Sequence, residues 1–284
     1  MKIHLSRVKK DVKLALKEDL KNNDVSLLGL KDRKVLNKAY LISREDAYIC
    51  GVDWFNESFK QVAKRYRNQK IFLKWKVKDG NKIKKNQKIL EILANADTIL
   101  SAERTALNFL QTLSGICTKT QSYRLKLNTK SIKLLDTRKT IPNLRYAEKY
   151  AVRKGKGFNH RFGLFDQILI KENHISSQNI GFENFVKHLE KKDILRNSTI
   201  EVENLKQVKI LTGYKVKNIL LDNFSIGEIK KAIKLINRKA KIEVSGNIST
   251  KNIQKYKNLN INYISVGDLT KNIKAVDFSL LLKN

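Results

Sequence analysis

Six short apolar runs after Lys130 in this 284-residue chain limit it to few folds. Three are Ile132-Lys133-Leu134-Leu135 ending at Asp136, Gln167-Ile168-Leu169-Ile170 ending at Lys171, and Ile200-Glu201-Val202-Glu203. The others are Asn218-Ile219-Leu220-Leu221 ending at Asp222, Ile242-Glu243-Val244 ending at Ser245, and Tyr263-Ile264-Ser265-Val266 ending at Gly267. Runs this short and apolar read as buried strands. Helix signals separate them. Ser225 and Glu228 form a capping box ahead of Ile229, Ala232, Ile233 and Ile236 at helical spacing, and Ser249 is placed to cap a further helix. Such alternation builds a parallel sheet with right-handed crossovers. Six strands fall short of a closed eight-stranded barrel. A polar or glycine residue just past each run is the layout of a site on the carboxyl edge.

The first hundred residues follow another pattern. Val8, Val12, Ala15 and Leu16 lie at helical spacing, and Lys21-Asn22-Asn23-Asp24 breaks the helix. Glu18, Asp19 and Asp24 are read as helix-end and turn residues. Residues 39–50 are expected to form two strands around Arg44-Glu45-Asp46, and residues 56–67 a helix with Phe59, Val62 and Ala63 on one face. Residues 71–77 and 88–93 read as strands around Asp79-Gly80-Asn81. Together these predict a small α+β sandwich. One helix is expected from Asp97 to Lys119, capped by Asp97 or Ser101, with Leu100, Leu107, Leu110 and Leu113 as its apolar stripe. Val276, Phe278, Leu280 and Leu281 suggest that the tail docks back. The expected division is an N-terminal sandwich over residues 1–103, an α/β barrel-like domain over 104–269, and a tail, 270–284, returning to the first.

The net charge of +32 admits two readings. One is a polyanionic partner such as nucleic acid; the other is a compositional drift toward Lys, Asn and Ile. Lysines spread along the whole chain, with no RNA-binding signature, favour the second. Cys50 and Cys117 are too few for a disulfide framework and lack metal-binding spacing, which fits a reducing cytoplasm. No run has the length or apolarity of a signal peptide or a membrane span.

Arg138, Lys139, His160, Arg161 and Lys171 all fall near strand ends, and Pro142, the only proline, lies among them. Arginine suits carboxylates, and lysine suits phosphate. Glu201 and Glu203 alternate with apolar residues, so on a strand both face one side. Burying both is costly without cations or a metal. With Asp222 they make either a group that holds Mg²⁺ or stabilises a cationic transition state, or partners for lysines; spacing alone does not separate these. Ser245-Gly246-Asn247 and Gly267-Asp268 sit where small residues let backbone N–H groups approach a phosphate. His4 and His188 are read as surface residues and His174 as structural.

The order of several blocks resembles one family. Asp136-Thr-Arg-Lys-Thr-x-Pro-x-Leu-Arg is followed by Glu148-Lys-Tyr-Ala-Val, then Gly155-x-Gly-x-Asn-His-Arg-x-Gly-Leu, then Leu169-Ile-Lys-x-Asn-His-Ile. This order resembles quinolinate phosphoribosyltransferase (nicotinate-nucleotide pyrophosphorylase, carboxylating), as does the helix SAERTALNFLQTLSGICT. The likeness runs from about Leu14 to Leu282. It implies an α+β sandwich and an incomplete barrel of six or seven strands. It also implies phosphoribosyl transfer to quinolinate with decarboxylation, and a Mg²⁺ cofactor. Arg138, His160 and Arg161 would grip the two carboxylates of quinolinate. Arg104, by itself a solvated helix arginine, would reach that site from the partner subunit of a homodimer. Lys139 and Lys171 would face phosphoribosyl pyrophosphate, Glu201 and Asp222 would act at the transition state or the metal, and Ser245, Gly246, Asn247 and Gly267 would hold the 5′-phosphate. The rivals are a related phosphoribosyltransferase for another base and a non-catalytic nucleic-acid binder. Three departures stand out: Lys156 inside the family's triple glycine, Asn143 after Pro142, and Asn86 where a glycine is usual.

Overall fold

The computed structural model describes residues 3–67 and 70–283. The chain divides into two compact units. One holds residues 1–121, 140–156 and 269–284; the other holds 122–139 and 157–268.

The first unit opens with α1 (Leu5–Leu20), whose Val8, Val12, Leu16 and Leu20 are buried. Asp24 caps the turn that follows, its side chain accepting the Ser26 N–H at 3.0 Å. Then come β1 (Leu36–Ser43), β2 (Ala47–Tyr48), α2 (Val52–Arg65), β3 (Ile71–Trp75), β4 (Lys82–Ile83) and β5 (Lys88–Asn95). The long α3 (Ala96–Leu127) crosses into the second unit. It outruns the expected 97–119 because nothing from Lys119 to Leu127 breaks a helix. It stops where Asn128 turns left-handed, at φ 46°. It also starts one residue before Asp97, so neither proposed cap serves. Asp97 lies in the first turn, and the Ser101 hydroxyl donates to Asp24 at 2.9 Å.

β12 (Phe278–Leu282) supplies an edge of the antiparallel sheet, whose order is β12-β1-β5-β3. Tyr40 pairs with Leu281 on one side and Glu91 on the other. Trp54, Phe55, Phe59 and Val62 of α2 are fully buried in this unit. Asp79 holds the start of α2: its carboxylate accepts the N–H groups of Gly51 and Val52 at 3.0 and 3.1 Å and the Tyr150 hydroxyl at 2.8 Å.

The second unit contains the six expected strands, now β6 (Lys133–Leu135), β7 (Ile168–Ile170), β8 (Ser198–Val202), β9 (Asn218–Asp222), β10 (Lys241–Ser245) and β11 (Tyr263–Ser265). All pair in parallel, in the order β6-β11-β10-β9-β8-β7, and β6 and β7 are left as edges. The unit is therefore an incomplete barrel, with six strands rather than seven among the described residues. Ser225 and Glu228 form the capping box of the Ile226–Ile236 helix, whose Ile229, Ala232 and Ile236 are buried. The helix expected after Ser249 is only a short 3-10 turn, Ile253–Tyr256, because just Ile253 and Tyr256 face inward there.

The three departures from the family pattern share one geometry. Asn86, Asn143 and Lys156 have φ of 62°, 64° and 63°. A glycine there supplies left-handed backbone; asparagine tolerates it, while lysine bears the Cβ clash. Gly155 is glycine for a different reason: a Cβ there would come within 2.6 Å of the Thr120 side chain and 2.7 Å of the Cys117 carbonyl oxygen. Opposite outcomes follow at adjacent positions. Lys156→Gly raises unfolding free energy by about 0.5–1 kcal/mol, whereas Gly155→Ala lowers it by about 1–3 kcal/mol, both measured by urea denaturation.

Candidate active site

Register assembles the site. In parallel pairing, Glu201 sits beside Leu220, and Leu220 beside Glu243. Residues paired across neighbouring strands point to one face, and so do residues two apart along a strand. Leu169, Lys171, Glu201, Leu220, Glu243, Ser245 and Ser265 thus form rows on one face. With Thr137, Arg138, Lys139, His160 and Arg161 they line a cavity of about 280 Å³. Four cations and two carboxylates line it, leaving an excess of positive charge.

Each charged group is held by specific partners. The Lys171 ammonium donates to Glu201 Oε2 at 2.8 Å, with the carboxylate largely covered. The Arg161 guanidinium donates to the Gln167 carbonyl at 3.1 Å and is 5% exposed. Burial, with neighbouring Arg138, lowers the guanidinium's pKa from its ordinary value. The His160 N–H donates to buried Asp136 Oδ1 at 2.8 Å, and His160 Nδ1 accepts the Arg161 N–H at 2.7 Å. His160 Nε2 lies 3.2 Å from Glu243 Oε1. The Ser265 hydroxyl donates to the same carboxylate.

The remaining sequence candidates lie on the rim or elsewhere. Asp222 ends β9 two residues past Leu220 on the same face, paired with Ser245, and accepts from the Asn223 side chain at 2.8 Å. Gly246 follows with φ +97°, and a Cβ there would fall 2.7 Å from the Asn223 nitrogen, so only glycine fits. Asn247 takes a left-handed φ of 50° and donates to Asn223 Oδ1 at 3.2 Å. Gly267 packs against Lys139, where a Cβ would meet the lysine Cδ at 3.0 Å. The Lys139 side chain thus runs close beside Gly267 at the carboxyl edge. Arg104 is exposed on α3, in the first unit. His174 is structural: its Nδ1 accepts the Lys171 N–H at 3.0 Å, fixing the turn after β7.

Glu203 lies just beyond β8 and is exposed. Its pKa is raised, first by desolvation and then by Glu172, with smaller effects from Asp222 and Glu201. Among the described residues no set of three or more metal-binding side chains is gathered.

Sequence reading missed Glu243, Ser265 and Thr137. The signal for the first two was present. Glu243 precedes Ser245 by two, and Ser265 precedes Gly267 by two, so strand parity assigned both to the site face. A larger groove, about 760 Å³, opens at the amino edge of the sheet with Lys217, Lys234, Arg238, Lys239 and Lys241 in its wall. No carboxylate lines it, and it lies opposite the strand ends that carry the polar cluster.

Known proteins match this arrangement along nearly the whole chain. The model of the quinolinate phosphoribosyl transferase C-terminal domain matches residues 116–281, and that of its N-terminal domain matches 24–114. A probable nicotinate-nucleotide pyrophosphorylase [carboxylating] of Methanocaldococcus jannaschii is 36% identical over 281 residues, covering 95% of each chain. The chloroplastic nicotinate-nucleotide pyrophosphorylase [carboxylating] of Arabidopsis thaliana is 34% identical over 289 residues, covering 95% of this chain and 81% of that one. The solved structure of the nicotinate-nucleotide pyrophosphorylase from Francisella tularensis is 40% identical, with a TM-score of 0.89 over 99% of this chain and 98% of that one. The paired domain matches and the incomplete six-stranded barrel lead to one conclusion: the chain belongs to the quinolinate phosphoribosyltransferase family, whose members are decarboxylating phosphoribosyltransferases.

Proposed function

We propose that this chain joins quinolinate to 5-phosphoribosyl 1-pyrophosphate, releasing pyrophosphate and CO₂ and forming nicotinate mononucleotide for NAD synthesis. The observation that carries this reading is the cation-rich cavity at the carboxyl edge of the parallel sheet. Its wall suits a dianion, and its rim suits a phosphate. Arg138 and Arg161 hold the substrate carboxylates through guanidinium forks. Lys139 and Lys171 face the phosphoribosyl pyrophosphate and neutralise the departing pyrophosphate. The bends at Gly246 and Gly267 leave room for the 5′-phosphate beside backbone N–H groups.

The ring nitrogen of quinolinate attacks the anomeric carbon as the bond to pyrophosphate breaks. Positive charge grows on the ribosyl ring, and the carboxylates of Glu201 and Asp222 stabilise it. The adduct then loses its 2-carboxylate as CO₂, and the ring carbon takes a proton. Lys171 has two tasks here, since its ion pair also orients Glu201.

A Mg²⁺ ion fits the donor chemistry, because Glu201 and Asp222 are oxygen ligands on neighbouring strands. Glu201 and Asp222 would hold it, and substrate oxygens and water would supply its other ligands. Bound there, the metal would shield pyrophosphate charge. We further propose a homodimer in which Arg104 of one subunit completes the partner's carboxylate clamp. Among the described residues no helix is long and apolar enough to cross a membrane. Two buried free cysteines support a reducing compartment, which we take to be the cytoplasm.

Purified protein given quinolinate, phosphoribosyl pyrophosphate and Mg²⁺ forms nicotinate mononucleotide and CO₂ in equal amounts. Arg138→Ala lowers turnover efficiency about 10²- to 10³-fold, the loss expected from removing a charged hydrogen bond to substrate. Absence of product from folded wild type would direct a screen of other bases. Chelation with EDTA abolishes turnover, and added Mg²⁺ restores it. Mixing inactive Arg104→Ala with inactive Arg138→Ala restores about a quarter of wild-type activity, because half of a twofold heterodimer's sites escape both substitutions. No recovery after subunit exchange rules out the shared site.

A further inference from the structure

Glu243 is almost wholly buried, 2% exposed, in the middle of the strand that forms the cavity floor. It lies one row below Ser245 and Asp222, the last residues of their strands. A buried carboxylate is costly unless hydrogen bonds satisfy it. Two groups do so, the Ser265 hydroxyl and His160 Nε2.

The His160 geometry decides which nitrogen carries the proton. The Arg161 backbone N–H donates to Nδ1 at 2.7 Å, so Nδ1 is an acceptor. The proton of a neutral ring therefore sits on Nε2, facing Glu243. A continuous chain results: Ser265 to Glu243, Glu243 to His160 Nε2, and His160 Nδ1 to the backbone of Arg161. The His160 N–H, held by Asp136, fixes the same loop from its other side. Both ring nitrogens are thus engaged within the protein, and the imidazole ties down the segment that presents Arg161.

We propose that Glu243 is a positioning residue, acting through His160 to fix the imidazole as its Nε2–H tautomer and to hold Arg161 in place for an anionic substrate. This deepens the reading above and rests on it for the identity of that substrate. Glu243 acts by accepting a hydrogen bond, so an amide oxygen at the same place does its work, while an apolar side chain does not. Without the acceptor, the imidazole loses the bond that fixes Nε2, and its ring turns.

The test combines nitrogen NMR of the His160 ring with steady-state kinetics. Wild type shows the neutral Nε2–H signature. In Glu243→Leu that signature is lost, the KM for quinolinate rises about tenfold, a cost of about 1.4 kcal/mol, and the KM for phosphoribosyl pyrophosphate and kcat stay within about twofold. Glu243→Gln keeps both the signature and the low KM. Ser265→Ala, which frees one side of the carboxylate, shifts both readouts in the direction of Glu243→Leu by a smaller amount and carries the test if the leucine variant does not fold. An unchanged His160 signature in Glu243→Leu or Ser265→Ala overturns the proposal, as does a Glu243→Gln protein with a KM as poor as the leucine variant's. A wild type inactive toward quinolinate would sink the proposed substrate, yet its ring spectrum would still decide the tautomer.

Discussion

In-register pairing along β7, β8, β9, β10 and β11 is the constraint on which the site depends. One row carries Glu201, Leu220 and Glu243 side by side, and the next carries Asp222 and Ser245. A slip of one residue in β8 or β10 would turn Glu201 or Glu243 out of the cavity and put an apolar neighbour in its place. Val202 and Val244 occupy those alternate positions and are buried on the other face, which resists the slip. Hydrophobic packing outside the barrel thus fixes polar geometry inside it.

Electrostatics adds a second requirement. A cavity of arginines and lysines built for anions would repel itself if nothing offset the charge. Glu201 against Lys171 and Glu243 against His160 supply negative charge at defined places, and each has a hydrogen-bonding partner at short range. These pairs cost desolvation energy and return orientation. The same logic separates the two ends of the sheet. At the amino edge, the lysine-lined groove has no carboxylates in its wall, and Lys239 donates instead to the Thr212 carbonyl at 3.0 Å.

Much of this was legible in the sequence because strand ends announce themselves. An apolar run that stops at Asp136, Lys171 or Asp222 marks both an element and the direction in which its terminal side chain points. The capping box at Ser225 and Glu228 was equally plain, since it is a purely local interaction. Glu243 was missed because it lies within an apolar run and its partners, His160 and Ser265, are far away in sequence. Lys156 and the two asparagines show a third case. The substituted positions were visible, but their common left-handed backbone appears only in the folded chain. The end of α3 was misjudged because Asn128 stops the helix through its backbone conformation, and no proline marks that stop.

The order in which the strands pair sets a timetable for folding. β6 sits beside β11, and β1 beside β12, so each sheet joins an early strand to a late one. Neither can be finished on the ribosome until residues 263–282 have emerged, although most of the chain is already available. Contacts so distant in sequence close slowly. During synthesis, β1 and β6 therefore each wait with an open edge for a strand made last, a stage at which unpaired strand edges stand exposed. Residues 263–282 act as a joint release, completing both sheets almost together.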